Sequence, residues 1–351
     1  MKAKKVLIGI LVFLVLAAGA AVGALLYYQN NVKAVSDNPS PVSFRIEEGQ
    51  YGDEIYQNLY DEGLIRNTMV AKIYVKLNHM GDFKKGRFDL DKSWDLPRII
   101  KTLNDDSAAK ADEVECRFTD GDWAKDYAKT IEETFGYPAA ETLALWNDPD
   151  YVAGLMDDYW FITDQVYESE HVLLEGYLAP ETYRFLADSS LDDITRRLLD
   201  QTAETLAPYK DQMTDSWYDI HQIMTLASIV QYEGNTPENM ATIAGVFYNR
   251  LNDGWMLQSS ATTCYALYEY DDWRSCELNH DIASSYNTYT HYGLTPGPIC
   301  NPGAAAIKAT LNPENTNYYY FMADACGDGT VYFAETYAEH EANVEKYLTC
   351  Y

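Results

Sequence analysis

The order of apolar and polar positions divides the chain before any motif is read. Val6 to Val32 contains no charged residue. At about 1.5 Å per helical residue such a run can cross a bilayer, so a single transmembrane helix is expected over residues 6–28, behind a short tail at 1–5. Lys2, Lys4 and Lys5 precede it, which places that tail in the cytoplasm and the rest of the chain outside it. A cleaved signal peptide is the competing reading. Residues 33–41 (KAVSDNPSP) are polar, carry two prolines and read as a linker. Val42, Phe44 and Ile46 then alternate as in a strand, Gly49 interrupts, and Ile55 and Leu59 take helical spacing. The plan returns at Val114: Val42 aligns with Val114, Arg45 with Arg117, Ile46 with Phe118, Glu48 with Asp120, Gly49 with Gly121 and Tyr51 with Trp123. This is the pattern of an internal strand–turn–helix repeat. Asn104 to Glu113 (NDDSAAKADE), between the two copies, reads as a second linker.

Further along, LEGYLAPETYRF (Leu174 to Phe185) is aromatic, and Pro180 limits it to a loop or strand edge. Leu191 to Leu206 fits a helix. In TLASIVQYEGN (Thr225 to Asn235), Leu226, Ile229 and Val230 form one helical face, and Glu233 continues the same series. Thr236 and Pro237 are suited to the N-cap and first position of a following helix, whose stripe runs through Met240, Ile243, Ala244, Phe247 and Leu251. Asn252-Asp253-Gly254 ends it. Trp255 to Gly303 is rich in Ser, Thr, Asn, Pro and Gly, and a long, mostly irregular stretch of this kind is usually functional. NYYYFMAD (Asn317 to Asp324) and Val331 to Glu335 flank CGDG as a hairpin, and a helix is expected from Thr336 to Leu348.

Composition narrows the function. The net charge of −28, from 54 acidic and 26 basic residues, excludes the basic footprint that nucleic acid needs. It fits a strongly solvated extracytoplasmic surface. The six cysteines (Cys116, Cys264, Cys276, Cys300, Cys326 and Cys350) show no CxxC spacing, so neither zinc nor another metal site is expected. In an oxidising compartment they suggest disulfides. Spacing does not settle the pairing, although Cys264 with Cys276 would close a short loop.

Glu233 carries the candidate chemistry. A carboxyl on an apolar helix face loses water, desolvation raises its proton affinity, and a carboxylic acid kept neutral can act as a general acid. An exposed acid at a fraying helix end is the plain alternative. The loops LQSS (Leu257 to Ser260) and SYNTYTHYGLTPGPICNPG (Ser285 to Gly303) offer amides, hydroxyls and rings suited to a neutral polyhydroxylated ligand. Among them Gln258, Ser259, Tyr286, Asn287, Thr288, Tyr289 and Asn301 are candidates for sugar binding, with hydrogen bonding inside their own loops as the alternative. There is no P-loop, no HExxH and no GxSxG context for Ser259 or Ser260. Glu175 could support the site from behind or serve as an ion-pair or turn acceptor, and Arg250 could pair with a nearby acid.

In order, LEGYLAPETY, LASIVQYE, IAGVFYNRL, LQSSATTCY, YNTY followed by GLTPGPICNPG, and LNPENTNYYYFMAD resemble the YceG-like family of endolytic murein transglycosylases. The resemblance covers roughly Val42 to the C-terminus. It implies an α+β fold in which a LysM-like ββ/α-type subdomain (42–104) follows the membrane span. A mixed α+β lytic transglycosylase catalytic domain (114–351) comes next, divided into an entry subdomain (114–200) and a catalytic core (201–351). It also implies a lyase that needs no cofactor and cleaves the β-1,4 bond from N-acetylmuramic acid to N-acetylglucosamine within peptidoglycan strands, leaving 1,6-anhydro ends. Such an enzyme would terminate nascent strands beside cell-wall synthases and division or elongation proteins. The alternative is a non-catalytic peptidoglycan-binding scaffold of the wall-synthesis machinery. A conventional hydrolase would need a second carboxylate near Glu233. By the resemblance the catalytic acid falls on Glu233. A preceding acid seen in relatives is Gln231 here, and Ser260 and Ala261 stand where an Asp-Pro pair is expected.

Overall fold

The computed structural model describes residues 2–47, 49–110, 112–270, 272–324 and 327–348. Glu48, Cys326 and Cys350 of the sequence reading lie outside them. The chain divides after Glu113 into two compact units.

In the first unit, helix α1 (Lys2–Asn31) exposes Leu11, Phe13, Leu14 and Leu16, and one stretch of it, residues 8–31, is long and apolar enough to cross a membrane. Strand β1 (Pro41–Ile46), helices α2 (Gly52–Asp61) and α3 (Thr68–Asn78), strand β2 (Gly86–Asp91) and helix α4 (Leu96–Leu103) follow. β1 and β2 pair antiparallel, with Phe44 opposite Phe88 and Val42 opposite Leu90. The strand alternation buries Phe44, Ile46, Phe88 and Leu90 against Ile55, Leu59, Ile99 and Leu103 of the helices. Residues 104–113, expected to be a linker, hold a 3₁₀ turn (Asp106–Ala108) and a bridge between Lys110 and Arg87.

The second unit opens with strand β3 (Glu113–Phe118) and helices α5 (Ala124–Phe135), α6 (Ala139–Trp146) and α7 (Pro149–Met156). Strand β4 (Glu181–Leu186), which pairs with β3, starts immediately after Pro180. Helices α8 (Leu191–Leu206), α9 (Lys210–Thr214), α10 (Ile220–Glu233), α11 (Pro237–Asn252), α12 (Ser260–Leu267), α13 (Trp273–Glu277) and α14 (Ala304–Leu311) come next. The antiparallel hairpin β5 (Tyr320–Ala323) and β6 (Val331–Ala334) and helix α15 (Tyr337–Tyr347) complete the unit. The stretch expected to be mostly irregular therefore contains α12 and α13. Its last part, residues 278–303, is held by side-chain bonds.

The repeat is visible in the backbone. β1 and β3 bury the same alternate positions, and Gly49 and Gly121 take φ of +76° and +85° in the turn that follows. Side chains rarely tolerate that conformation, so glycine recurs. Tyr51 and Trp123 both cap the next helix in extended backbone, each N–H bonded to the acid three residues on, Glu54 and Asp126. Tyr51 is 77% exposed, whereas Trp123 is 3% exposed and donates its indole N–H to Tyr232 on α10.

α10 is apolar nearly all round because it separates two cores. Ile223, Met224 and Ala227 pack with β3, α5 and α8, while Leu226, Ile229 and Val230 pack with α11, α12 and residues 286–300.

Candidate active site

Bonds along its length fix α10 in place. Asp219 accepts from Gln222 N–H at 2.8 Å, and Gln222 accepts in return from Asp219 N–H. His221 links Tyr177 Oη (2.8 Å) to the carbonyl of Pro296 (2.9 Å). Ser228 accepts from Ile299 N–H at 2.9 Å, fastening residues 296–300 to the helix. Glu233 is its last residue. Gly234 turns the chain straight into α11, and a Cβ there would lie 2.4 Å from Met240, so no larger residue fits.

The Glu233 carboxyl opens into a cleft of about 220 Å³. Arg250, Gln258, Ser260 and Tyr289 form its polar side, and Phe321, Met322 and Val331 of the hairpin its apolar side. Ser259 Oγ donates to Glu233 Oε1 at 2.6 Å. Desolvation raises the proton affinity of Glu233, and the negative charge of Glu277 adds to it; the Ser259 bond and the Arg250 charge oppose, and the net displacement is upward. Position adds to this, because the C-terminal end of a helix carries partial negative charge. The acid is therefore set to hold a proton above the usual carboxylate range. Arg250 is buried and donates to the carbonyls of Tyr319 (2.7 Å) and Leu257. Burial lowers its proton affinity, and it forms no ion pair among the described residues. Burial followed by the charge of Glu233 pushes Tyr289 up to about 12, and its ring stacks on His280 at 3.8 Å.

The remaining candidates do not line this cleft. Thr288 is buried and holds the loop that presents Ser259: its hydroxyl accepts from Ser259 N–H at 3.0 Å, and its carbonyl accepts from Gln258 N–H at 3.1 Å. Those bonds keep Gln258 in left-handed backbone, φ +52°. Asn287 is buried and donates to the carbonyls of His280 and Ile282, both at 2.8 Å. Tyr286 is buried against Tyr265 and His171, with its hydroxyl accepting from Glu170 N–H. Asn301 is buried too: its side-chain oxygen accepts from Gly176 and Leu178 N–H (2.9 and 3.1 Å), and its amide donates to Glu175 at 3.2 Å.

Glu175 lies fully buried at the N-terminus of α5. Ala124 N–H donates to both its oxygens (2.9 and 3.0 Å), and Tyr265 donates at 3.3 Å. Desolvation outweighs these donors and pushes it up to about 8. Gln231, where the resemblance leads to the expectation of an acid, points away from the cleft and accepts from Gly303 N–H at 2.9 Å, at the start of α14.

Sequence reasoning noted Ser260 as standing where an Asp is expected and expected the hairpin, but it assigned neither to the site, and it did not find Glu277. Ser260 opens α12 and donates to Glu277 Oε1 at 3.3 Å. Cys264 and Cys276 form the disulfide left open above, and Cys116 and Cys300 are buried free thiols. That cysteine pair was the one signal that could have brought α13, and Glu277 with it, to the cleft.

Comparison with known proteins agrees with the motif series. A protein of Bacillus subtilis named endolytic murein transglycosylase is 32% identical over 332 residues, 93% of this chain and 91% of its own length. One of the same name from Streptococcus pneumoniae is 27% identical over 363 residues, covering 98% of this chain and 65% of that protein. The crystal structure of a yceG-like protein from Listeria monocytogenes superposes with a TM-score of 0.60 at 30% identity, over 87% of this chain and 99% of that one. The YceG-like family profile matches residues 44–346. With the motifs in order and the profile spanning both units, the chain belongs to the YceG-like family.

Proposed function

We propose that this protein is an endolytic peptidoglycan lytic transglycosylase in which Glu233 performs both proton transfers. The observation that carries the reading is the Glu233 carboxyl, desolvated at the end of a doubly packed helix, bonded by Ser259 and open to a cleft. The names of the relatives supply the substrate class. The protonated Glu233 gives its proton to the glycosidic oxygen between N-acetylmuramic acid and N-acetylglucosamine. The carboxylate so formed takes the proton of the muramic C6 hydroxyl as that oxygen closes on C1. The bond to the leaving sugar breaks, a 1,6-anhydro ring forms, and no water is consumed. One carboxyl suffices because nucleophile and reacting carbon belong to the same sugar. Ser259 holds the acid in line and steadies its ionised form, Arg250 offsets the charge that develops, and Gln258 and Tyr289 are placed to touch the sugars. Thr288, Asn287, Tyr286, Asn301 and Glu175 shape the loops that present these groups.

The same reading makes α1 a single membrane anchor, with residues 1–5 cytoplasmic and the chain after α1 outside the cell membrane. Residues 42–104 serve as the LysM-like unit, 114–200 as the entry to the catalytic domain and 201–351 as its core. Cutting at that surface would terminate nascent strands, with cell-wall synthases and division or elongation proteins as partners.

The test is digestion of purified peptidoglycan by the full chain in detergent, with products read by mass spectrometry for wild type and Glu233→Gln. Internal fragments with 1,6-anhydro ends, absent in the variant, are expected. Reducing ends in their place would make the protein a hydrolase with Glu277 as its second carboxylate. Binding without cleavage by either protein would leave a scaffold.

A further inference from the structure

α13 has five residues, too few to stand alone as a helix. It is held by three side chains of α12 at positions i, i+3 and i+4, which share one helical face. Cys264 bonds covalently to Cys276. Thr263 Oγ1 donates to the carbonyl of Cys276 at 2.9 Å. Ser260 Oγ, on the cleft wall, donates to the carboxylate of Glu277 at 3.3 Å. Two of these ties fix the backbone of α13 and the third aims its terminal carboxylate. Building on the function proposed above, we propose that Glu277, clamped by the Cys264–Cys276 disulfide, is a positioning residue that acts on Glu233 through its charge.

Every element packed around Glu233 contributes to the balance. The loop before α12 brings the Ser259 hydroxyl, α11 brings Arg250, residues 285–303 bring Tyr289, and β5 and β6 bring only apolar side chains. Of these groups, Glu277 is the one acid whose charge raises the proton affinity of Glu233, against Ser259 and Arg250, which lower it. A negative charge beside a desolvated carboxyl disfavours its ionisation, so the charge of Glu277 adds to the desolvation that keeps the proton on Glu233. An acid that works alone needs that proton before it can start. Because the disulfide holds α13, opening it releases Glu277, and the acidity of the site then depends on an oxidised cysteine pair.

The experiment follows the full chain in detergent with two readouts. One is the pH profile of anhydro-end release. The other is the carboxyl ¹³C titration of Glu233, assigned with Glu233→Gln, which needs no activity. Glu277→Gln keeps an acceptor for Ser260 but removes the charge. It is expected to move the alkaline limb and the Glu233 titration to lower pH, with a severalfold lower rate on the alkaline side and the acid side kept. The Cys264→Ser/Cys276→Ser pair is expected to move both in the same direction, and to add no further shift to Glu277→Gln. Glu277→Asp should restore most of the wild-type profile. A Glu233 titration unchanged by Glu277→Gln, or a rate lowered equally at all pH values, overturns the proposal. Absence of anhydro ends in wild type, with the titration still shifted, overturns the function and leaves the Glu277 assignment standing.

Discussion

Two glutamates of the second unit have each lost their water, and they differ in everything else. Glu175 sits at the N-terminal end of α5, enclosed on all sides, and accepts from the Ala124 N–H at both oxygens, from the Tyr265 hydroxyl and from the Asn301 side-chain amide. Glu233 sits at the C-terminal end of α10, partly open to a cleft, with the one serine donor. Both carboxyls hold protons more tightly than in water, and in both the largest cause is desolvation. Burial alone therefore does not mark a reactive acid. An acid whose acceptors are all occupied by its own fold is a joint in the structure. One left with an unoccupied oxygen beside a cleft can exchange its proton with a substrate.

Exchanging each carboxyl for an amide separates the two roles, and the largest effect is expected at Glu233. Glu233→Gln should lower the rate by on the order of 10³-fold, while its melting temperature stays at or above that of wild type. Glycan-release kinetics beside calorimetry check both. Glu175→Ala should do the reverse. It leaves the Ala124 N–H and the Tyr265 hydroxyl unpaired in a dry interior, at a cost of roughly 2–4 kcal/mol in chemical denaturation, and activity should follow the folded fraction.

A third expectation concerns pH. The folded carboxyl of Glu175 is raised from 4.5 to about 8, so the native state keeps a proton that the unfolded chain releases. Its contribution to stability is complete below about pH 4.5 and is lost as pH rises through about 8. Wild type should therefore lose stability between about pH 4.5 and 8, by up to about 5 kcal/mol, and Glu175→Gln should flatten that slope. Equal slopes in the two proteins would show that Glu175 titrates normally.

The smallest expected effect is at the hydroxyl that touches Glu233. Ser259→Ala removes a donor that favours the ionised acid, so the alkaline limb should move to higher pH, with a rate loss of about tenfold from lost alignment. This displacement is opposite to that expected for Glu277→Gln. Shifts of the same sign for both would contradict the charge balance drawn here.

Much of the second unit was legible along the chain. Leu191 to Leu206 forms a helix over the expected range, α10 ends on Glu233, and Thr236 caps α11 by accepting from Asn239 N–H at 3.2 Å. The repeat was legible because its turn demands glycine at the same place twice. The loop residues were read less completely. Tyr286, Asn287, Thr288 and Asn301 have the chemistry of sugar ligands, yet their side chains are spent on neighbouring backbone and on Glu175. Composition cannot distinguish the two uses, since an amide that binds a sugar and one that holds a loop are the same group. The cleft's apolar side comes from a hairpin about 90 residues beyond Glu233, and such a distance leaves no period to read.

The sequence by itself determined the apolar span, the repeated strand–turn–helix, the phase of α10 that separates Glu233 from Gln231, and the ordered motifs of the family. These are local properties, set by spacing along one element. Only the tertiary structure decided which polar side chains face the cleft, that Ser259 bonds Glu233, and that Cys264 joins Cys276. It also decided that Glu277 is carried to the site on a helix too short to hold itself. Each of these depends on contacts between segments far apart in the chain, where packing and desolvation fix the outcome.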